Sequence, residues 1–229
     1  MEVNENETVR FNTTGVFSTG PNNGGLDVAL TQANTRGNAV MDNAIVSFNE
    51  GSELGKFYFG RQDANIYIPQ GSDEYAIAFS GKHGEMPLNF KATENGSYTL
   101  TVNPENVEMN YLHLIDNLTG TDVDLLVNPS YTFNAKATDY TSRFKLVFVA
   151  NDAQIGGEGS DDFAFISNGE LIVIGITDNS VLQIIDLTGR VLSSPKASNR
   201  INIDGLSAGV YVLRLINGEN VKTQKIVVK

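Results

Sequence analysis

Residues 97–102 read SYTLTV, with Tyr98, Leu100 and Val102 alternating with Thr99 and Thr101. A repeat of two places alternate side chains on opposite faces of an extended chain, so this stretch is a strand with one buried face. Similar short runs rich in aromatic and β-branched residues lie on either side: 65–69 (NIYIP), 75–80 (YAIAFS), 131–135 (YTFNA) and 144–149 (FKLVFV). Turn-forming clusters separate them: Gly71-Ser72-Asp73, Glu94-Asn95-Gly96, Asn117 to Gly120, and Asn128-Pro129-Ser130. Nearer the start, 8–11, 26–31, 43–48 and 56–59 also read as strands. No 3.6-residue pattern persists beyond about two turns. Short strands punctuated by turns define an all-β chain of the sandwich or barrel type.

Length and composition narrow the function. A chain of 229 residues can bury a substantial core without covalent staples. It has no cysteine, which removes disulfide frameworks, thiol catalysis, cysteine zinc sites and iron–sulfur clusters. The formal net charge is −11, and it is unevenly spread. Residues 162–229 carry six acidic and seven basic residues, which leaves a net of −12 on residues 1–161. An acidic domain of that kind repels a phosphate backbone, so nucleic acid is not an expected partner. No run approaches the 18 or so apolar residues of a membrane span. Met1 is followed by Glu2, Asn4, Glu5 and Glu7 rather than by a basic and then apolar leader. If the protein is exported, its signal is expected to lie in sequence outside this chain, which would then be a fragment of a longer protein.

Residues 152–162 (DAQIGGEGSDD) combine three glycines with four acidic groups, and Ile155 is their single branched aliphatic residue. Such a segment cannot anchor a core and reads as a linker. It divides the chain into an acidic, larger β-sandwich of jelly-roll type over 1–151 and a compact unit over 163–229. In the latter, 163–167, 171–174, 182–186, 191–194, 200–203, 210–216 and 223–228 are strand-like. Seven short strands in that length suggest a small Ig-like sandwich. In 210–216, Val210, Val212, Leu213 and Leu215 break strict alternation, as in a strand buried on both faces.

Three stretches of this unit carry a family resemblance. They are Ile185-Asp186-Leu187-Thr188-Gly189-Arg190-Val191, then Leu206-Ser207-Ala208-Gly209-Val210-Tyr211, then Lys225-Ile226-Val227-Val228-Lys229. In that order they resemble the strand–turn–strand motif, the Gly-x-Tyr motif and the lysine-flanked final strand of the C-terminal sorting domain of Bacteroidetes proteins exported by the type IX system. The resemblance implies that the whole folded domain serves as an export address, with Asp186, Gly189, Gly209, Tyr211, Lys225 and Lys229 as motif residues. The family's Pro-Asn-Pro-like opening is replaced here by Asp162-Phe163-Ala164-Phe165-Ile166. Three of these residues also have a local structural reading. Gly189 suits a positive φ in a tight hairpin, Gly209 frees the backbone before a strand, and the Tyr211 hydroxyl can cap a loop. Residues 65–150 (IYIPQ, GEMPLNFKA, YLHLIDNLTGTDVD and RFKLVF among them) are similar to a block near the ends of large Bacteroidales surface proteins, which implies no particular chemistry.

Candidate chemistry elsewhere is sparse. His83, within Gly81-Lys82-His83-Gly84-Glu85, reads as an exposed turn residue. His113 lies between two leucines in a strand near Asp116, where a packed or edge histidine is the simpler reading. A catalytic triad needs an activated hydroxyl, and no Gly-x-Ser-x-Gly motif offers one. Asp122 and Asp124 share a face if their segment is extended, and then fit calcium binding or acid–base work. Solvated turn carboxylates explain them with fewer assumptions. Asp161 and Asp162 beside Glu158 read as linker solvation, with calcium as the alternative. Phe57, Tyr58, Phe59 and Tyr67 cluster in sequence, so Tyr58 could stack on a glycan, but core packing accounts for them as well. The expectation is a non-enzymatic module without a cofactor, carried at the cell surface or outside the cell. Its partners would be the remainder of a longer surface protein and the secretion or attachment machinery. A glycan-binding module is the alternative, and a hydrolase using Asp122 and Asp124 is a third reading.

Overall fold

The computed structural model describes residues 24–32, 39–58, 63–151, 163–167, 169–177, 179–193 and 198–229. The described residues contain strands and no helix, so the fold is all-β. The expected strand at 8–11 and the expected linker at 152–162, with Asp161 and Asp162, lie outside them. The first strands are β1 (Gly25–Gln32), β2 (Val40–Ser47), β3 (Leu54–Gly55), β4 (Ala64–Gln70), β5 (Asp73–Phe79) and β6 (His83–Ala92). They are followed by β7 (Gly96–Glu105), β8 (Met109–Asp116), β9 (Thr121–Asp124), β10 (Ser130–Ala135) and β11 (Phe144–Ala150). The last seven are β12 (Ala164–Ser167), β13 (Glu170–Val173), β14 (Val181–Ile185), β15 (Val191–Ser193), β16 (Arg200–Asn202), β17 (Gly209–Asn217) and β18 (Asn220–Val228).

Contacts group the chain into two compact units. Of the described residues, one comprises those within 24–80, 87–107 and 129–143, and the other those within 81–86, 108–128 and 144–229. In the first unit β10, β7, β1 and β2 run side by side with antiparallel neighbours, and β2 then pairs β5 in parallel. The alternation of residues 97–102 is realised: Tyr98, Leu100 and Val102 are fully buried, while the hydroxyl of Thr99 meets that of Thr132 at 2.8 Å across the strand pair. β4 changes partner along its length, pairing β6 through Ala64–Tyr67 and β5 through Ile68–Gln70. Phe90 packs edge-on against Tyr98 (5.2 Å) and Phe133 (5.1 Å). Arg143 is buried beside this cluster, its guanidinium 4.5 Å from the Phe133 ring and its Nη1 donating to the Asn134 carbonyl at 2.9 Å.

Two local expectations are corrected in this region. The strand expected at 56–59 is displaced to Leu54–Gly55, which pairs β5. Lys56 still bonds the Glu74 carbonyl through its N–H at 2.8 Å, but its ammonium turns inward onto Asp42 at 2.6 Å, and Phe57 and Tyr58 leave the sheet. His83 is not an exposed turn residue. It opens β6, is half-buried 5.9 Å from the Phe165 ring, and burial lowers its pKa.

In the second unit β11 pairs β8, which forms an antiparallel hairpin with β9. The turn of that hairpin holds Gly120 at φ 70°, as the Asn117-to-Gly120 cluster implies. All seven strands expected after residue 163 are present. They form a three-stranded sheet (β12-β13-β16) and a four-stranded sheet (β15-β14-β17-β18). The inner faces share one apolar core that includes Phe163, Leu171, Val173, Leu182, Leu213, Leu215 and Ile226. That is a sandwich. β17 differs from expectation in one respect: Tyr211, Leu213 and Leu215 are buried while Val210 and Val212 are half-buried and Arg214 is exposed. One face meets the core and the other is only partly covered.

Candidate functional site

The motif residues of the small sandwich fall on two features, a rigid turn and a paired C-terminal ribbon. Asp186 builds the turn. Its Oδ1 accepts from the Thr188 N–H (2.9 Å), the Thr188 hydroxyl (2.6 Å) and the Arg190 N–H (3.0 Å), and its Oδ2 accepts from Arg190 Nε (3.1 Å). The Thr188 hydroxyl above all, then the Arg190 N–H, hold its pKa at about 2. Gly189 takes φ 85°, the left-handed conformation that favours glycine. The result is a fixed hairpin tip that exposes Leu187, Val191 and Leu192.

The ribbon is β17 paired with β18 from Gly209↔Val228 to Asn217↔Asn220. Tyr211 buries its ring, and its hydroxyl donates to the Ser207 carbonyl at 2.7 Å, capping the preceding loop as the sequence suggests. Gly209 is not needed for a positive φ: it lies inside β17, and an added Cβ would meet the Tyr211 ring at an ordinary 3.6 Å. Lys225 and Lys229 are exposed. Gln224, which sequence reading passed over, closes the sandwich. Its Oε1 accepts from the N–H groups of Phe163 and Ala164, each at 2.8 Å, and its Nε2 donates to the Ala164 carbonyl at 2.6 Å. Its neighbours Lys222, Thr223 and Lys225 are polar as well, so no local pattern singles it out.

A charged cluster occupies a second place in the same unit. Asp122 and Asp124 lie on β9, and both face His113 on β8. The ring Nδ1–H donates to Asp122 Oδ1 at 2.7 Å, and Nε2 stands 4.0 Å from Asp124 Oδ2. Tyr111 stacks on the imidazole at 4.2 Å. The shared face expected of an Asp-x-Asp pair on a strand is thus realised, with a histidine and an arginine as partners. Arg200 of β16 donates through Nη1 to Asp122 Oδ2 (2.6 Å) and through Nε to Glu170 Oε2 of β13 (2.6 Å). Burial alone would raise the Asp122 carboxyl, but the His113 hydrogen bond and the Arg200 guanidinium outweigh it and hold it below the ordinary carboxylate range. Asp124 also accepts from the Leu126 N–H at 2.9 Å, which forms the turn after β9. Among the described residues no group of three or more His, Asp or Glu side chains could hold a metal ion.

The aromatic cluster does not assemble as one core patch. Tyr67 is buried, whereas Phe57 is 68% exposed and Tyr58 47% exposed. Phe59 lies outside the described residues. The Tyr58 hydroxyl donates to Glu74 Oε2 at 2.5 Å. Burial first, then that carboxylate, raises the phenol's pKa.

Comparison with known proteins adds one finding to this geometry. Residues 167–229 match the family model of the secretion system C-terminal sorting domain. The C-terminal sandwich is a sorting domain of the type IX secretion system. The match contains the Asp186 turn, the loop capped by Tyr211 and the whole β17–β18 ribbon. Sorting domains of this kind mark proteins exported to the cell surface or the extracellular space, and this chain is a C-terminal module of such a secreted protein. The sorting domain implies a larger secreted protein and its secretion machinery as partners. No curated protein and no solved structure matches the chain. Among the described residues no helix is long and apolar enough to cross a membrane.

Proposed function

We propose that the chain is a non-enzymatic module in which residues 163–229 sort or anchor an exported surface protein. The acidic β structure before them presents or docks the remainder of that longer protein, as an adhesion-type module does. The observation that carries this reading is the family match over 167–229, whose motif residues form the Asp186 turn and the β17–β18 ribbon. Asp122 and Asp124 are in this reading structural partners of His113 and Arg200, not calcium ligands or an acid–base pair, and the module uses no cofactor. The test is to delete residues 163–229 from the exported protein. Retention inside the cell is expected; normal arrival at the surface overturns the sorting half. Asp122→Asn is expected to leave turnover of ester and glycan substrates unchanged.

One observation favours a second reading, glycan binding. Phe57 and Tyr58 project from a segment that Lys56 pins to Asp42, and an exposed aromatic on a fixed support suits stacking on a sugar ring. A glycan array with the intact chain and Tyr58→Ala decides it: binding lost in the variant supports the reading, and no binding by either protein ends it.

A further inference from the structure

The ion cluster around Arg200 joins elements far apart in sequence. Asp122 and His113 belong to the β8–β9 hairpin, Glu170 to β13 and Arg200 to β16. Arg200 spans them because a guanidinium is a planar fork of donors that can engage two carboxylates at once. The side chains of Arg200, Asp122 and Glu170 are 30%, 22% and 24% exposed, so the pairs are less screened than those on an open surface. A cleft lined by Asn117, Asp122, Glu170, Arg200, Asn202 and Asp204 keeps them within reach of water.

Asp122 reaches its position only when the hairpin has closed in register. Ile115↔Asp122 and His113↔Asp124 set the pairing, and His113 holds one Asp122 oxygen while Arg200 takes the other. Asp124 and Tyr111 face the same imidazole, Arg200 Nη1 lies 3.5 Å from its Nδ1, and hairpin and guanidinium share the Asp122 carboxylate. Glu170 fixes the far side of the guanidinium, and β13 in turn pairs β16 through Leu171↔Ile201.

We propose that Arg200 is a latch that couples the order of β13 and β16 to the folded state of the β8–β9 hairpin. Two strands of the sorting domain then tighten when a hairpin outside the family match is folded, and loosen when it opens. The sorting domain in this protein is thereby sensitive to whether the structure before it has formed. The coupling stands or falls independently of export.

The test is hydrogen exchange on the intact chain with two variants. Arg200→Met keeps the length of the side chain and removes the fork. Gly120→Val strains the hairpin turn at its φ of 70°, where an added side chain meets open space, so the effect is on the turn itself. Arg200→Met is expected to speed exchange at residues 121–124, 170–173 and 200–202 about fivefold and to leave β17 unchanged. Gly120→Val is expected to speed exchange in β13 and β16 as well as in the hairpin, and to lose that remote effect when combined with Arg200→Met. Unchanged exchange in β13 and β16 in Gly120→Val overturns the latch. So does a remote effect of equal size with and without Arg200. Faster exchange in β17 for Arg200→Met would indicate a general loosening of the sandwich and also overturn it.

Discussion

β17 of the small sandwich and β4 of the first unit bury residues by different rules. In β17 every second residue points to the core: Tyr211, Leu213 and Leu215 are buried, and Arg214 between them is exposed. In β4 five successive residues, Ala64 to Ile68, are all buried, because the strand passes from one partner to another and both its faces are covered. The charges follow the same division. The small sandwich buries no charged side chain among the described residues; its buried polar residues are Ser167 and Ser180. The first unit keeps Arg143 buried, and Lys56 and Asp42 nearly so. An apolar core of alternating residues specifies a sheet through pattern alone. A strand covered on both faces gives up that pattern, and there polar anchors and aromatic contacts hold the register.

The largest effect is therefore expected at a buried charge. Arg143→Ala should destabilise the chain by about 3–5 kcal/mol in urea unfolding, because the Asn134 carbonyl and the Phe133 ring lose their partner together. A cost under about 1 kcal/mol would break the comparison, since the first unit would then not depend on its polar anchors. Leu213→Ala in the small sandwich should cost about 3 kcal/mol in the same assay, a purely apolar loss. Lys56→Met is expected to cost about 2 kcal/mol by stranding Asp42, with part of the loss recovered in Lys56→Met/Asp42→Asn.

The smallest effect belongs to the exposed Asp186 turn, and it is one of pH. Its folded pKa lies below the ordinary value of 3.8, so its contribution is complete above that value and is lost as pH falls through about 2. The Thr188 and Arg190 amide resonances should shift across that window, and Asp186→Asn should abolish the shift. An unaltered titration in the variant would assign the change to another group.

The same division explains what the sequence made legible. The strands of the sorting domain could be read because turn chemistry sits between apolar runs, and Gly189 was readable because only a tight turn needs it. β6 is not legible as a strand although Met86, Leu88, Phe90 and Ala92 are buried at alternate positions. Pro87 and the Gly81-Lys82-His83-Gly84 start disguised it as a loop, and a proline in a strand argues against that assignment unless it sits at an edge or bulge. The Asp122–Asp124 pair was visible, but its partner Arg200 was not. No local pattern links residues that meet only after two hairpins have folded. The exposure of Phe57 and Tyr58 is illegible for a related reason: the inward turn of Lys56 onto Asp42, which ejects them from the sheet, is a tertiary contact.

The most direct test of the central claim is to fuse residues 163–229 to a folded passenger in a bacterium that carries the type IX system, and to measure the fraction of passenger at the surface or in the medium. Protease resistance of the purified fusion confirms that the sandwich has formed. The account predicts export of the fusion and retention of the passenger alone. A folded fusion retained as completely as the bare passenger would contradict it.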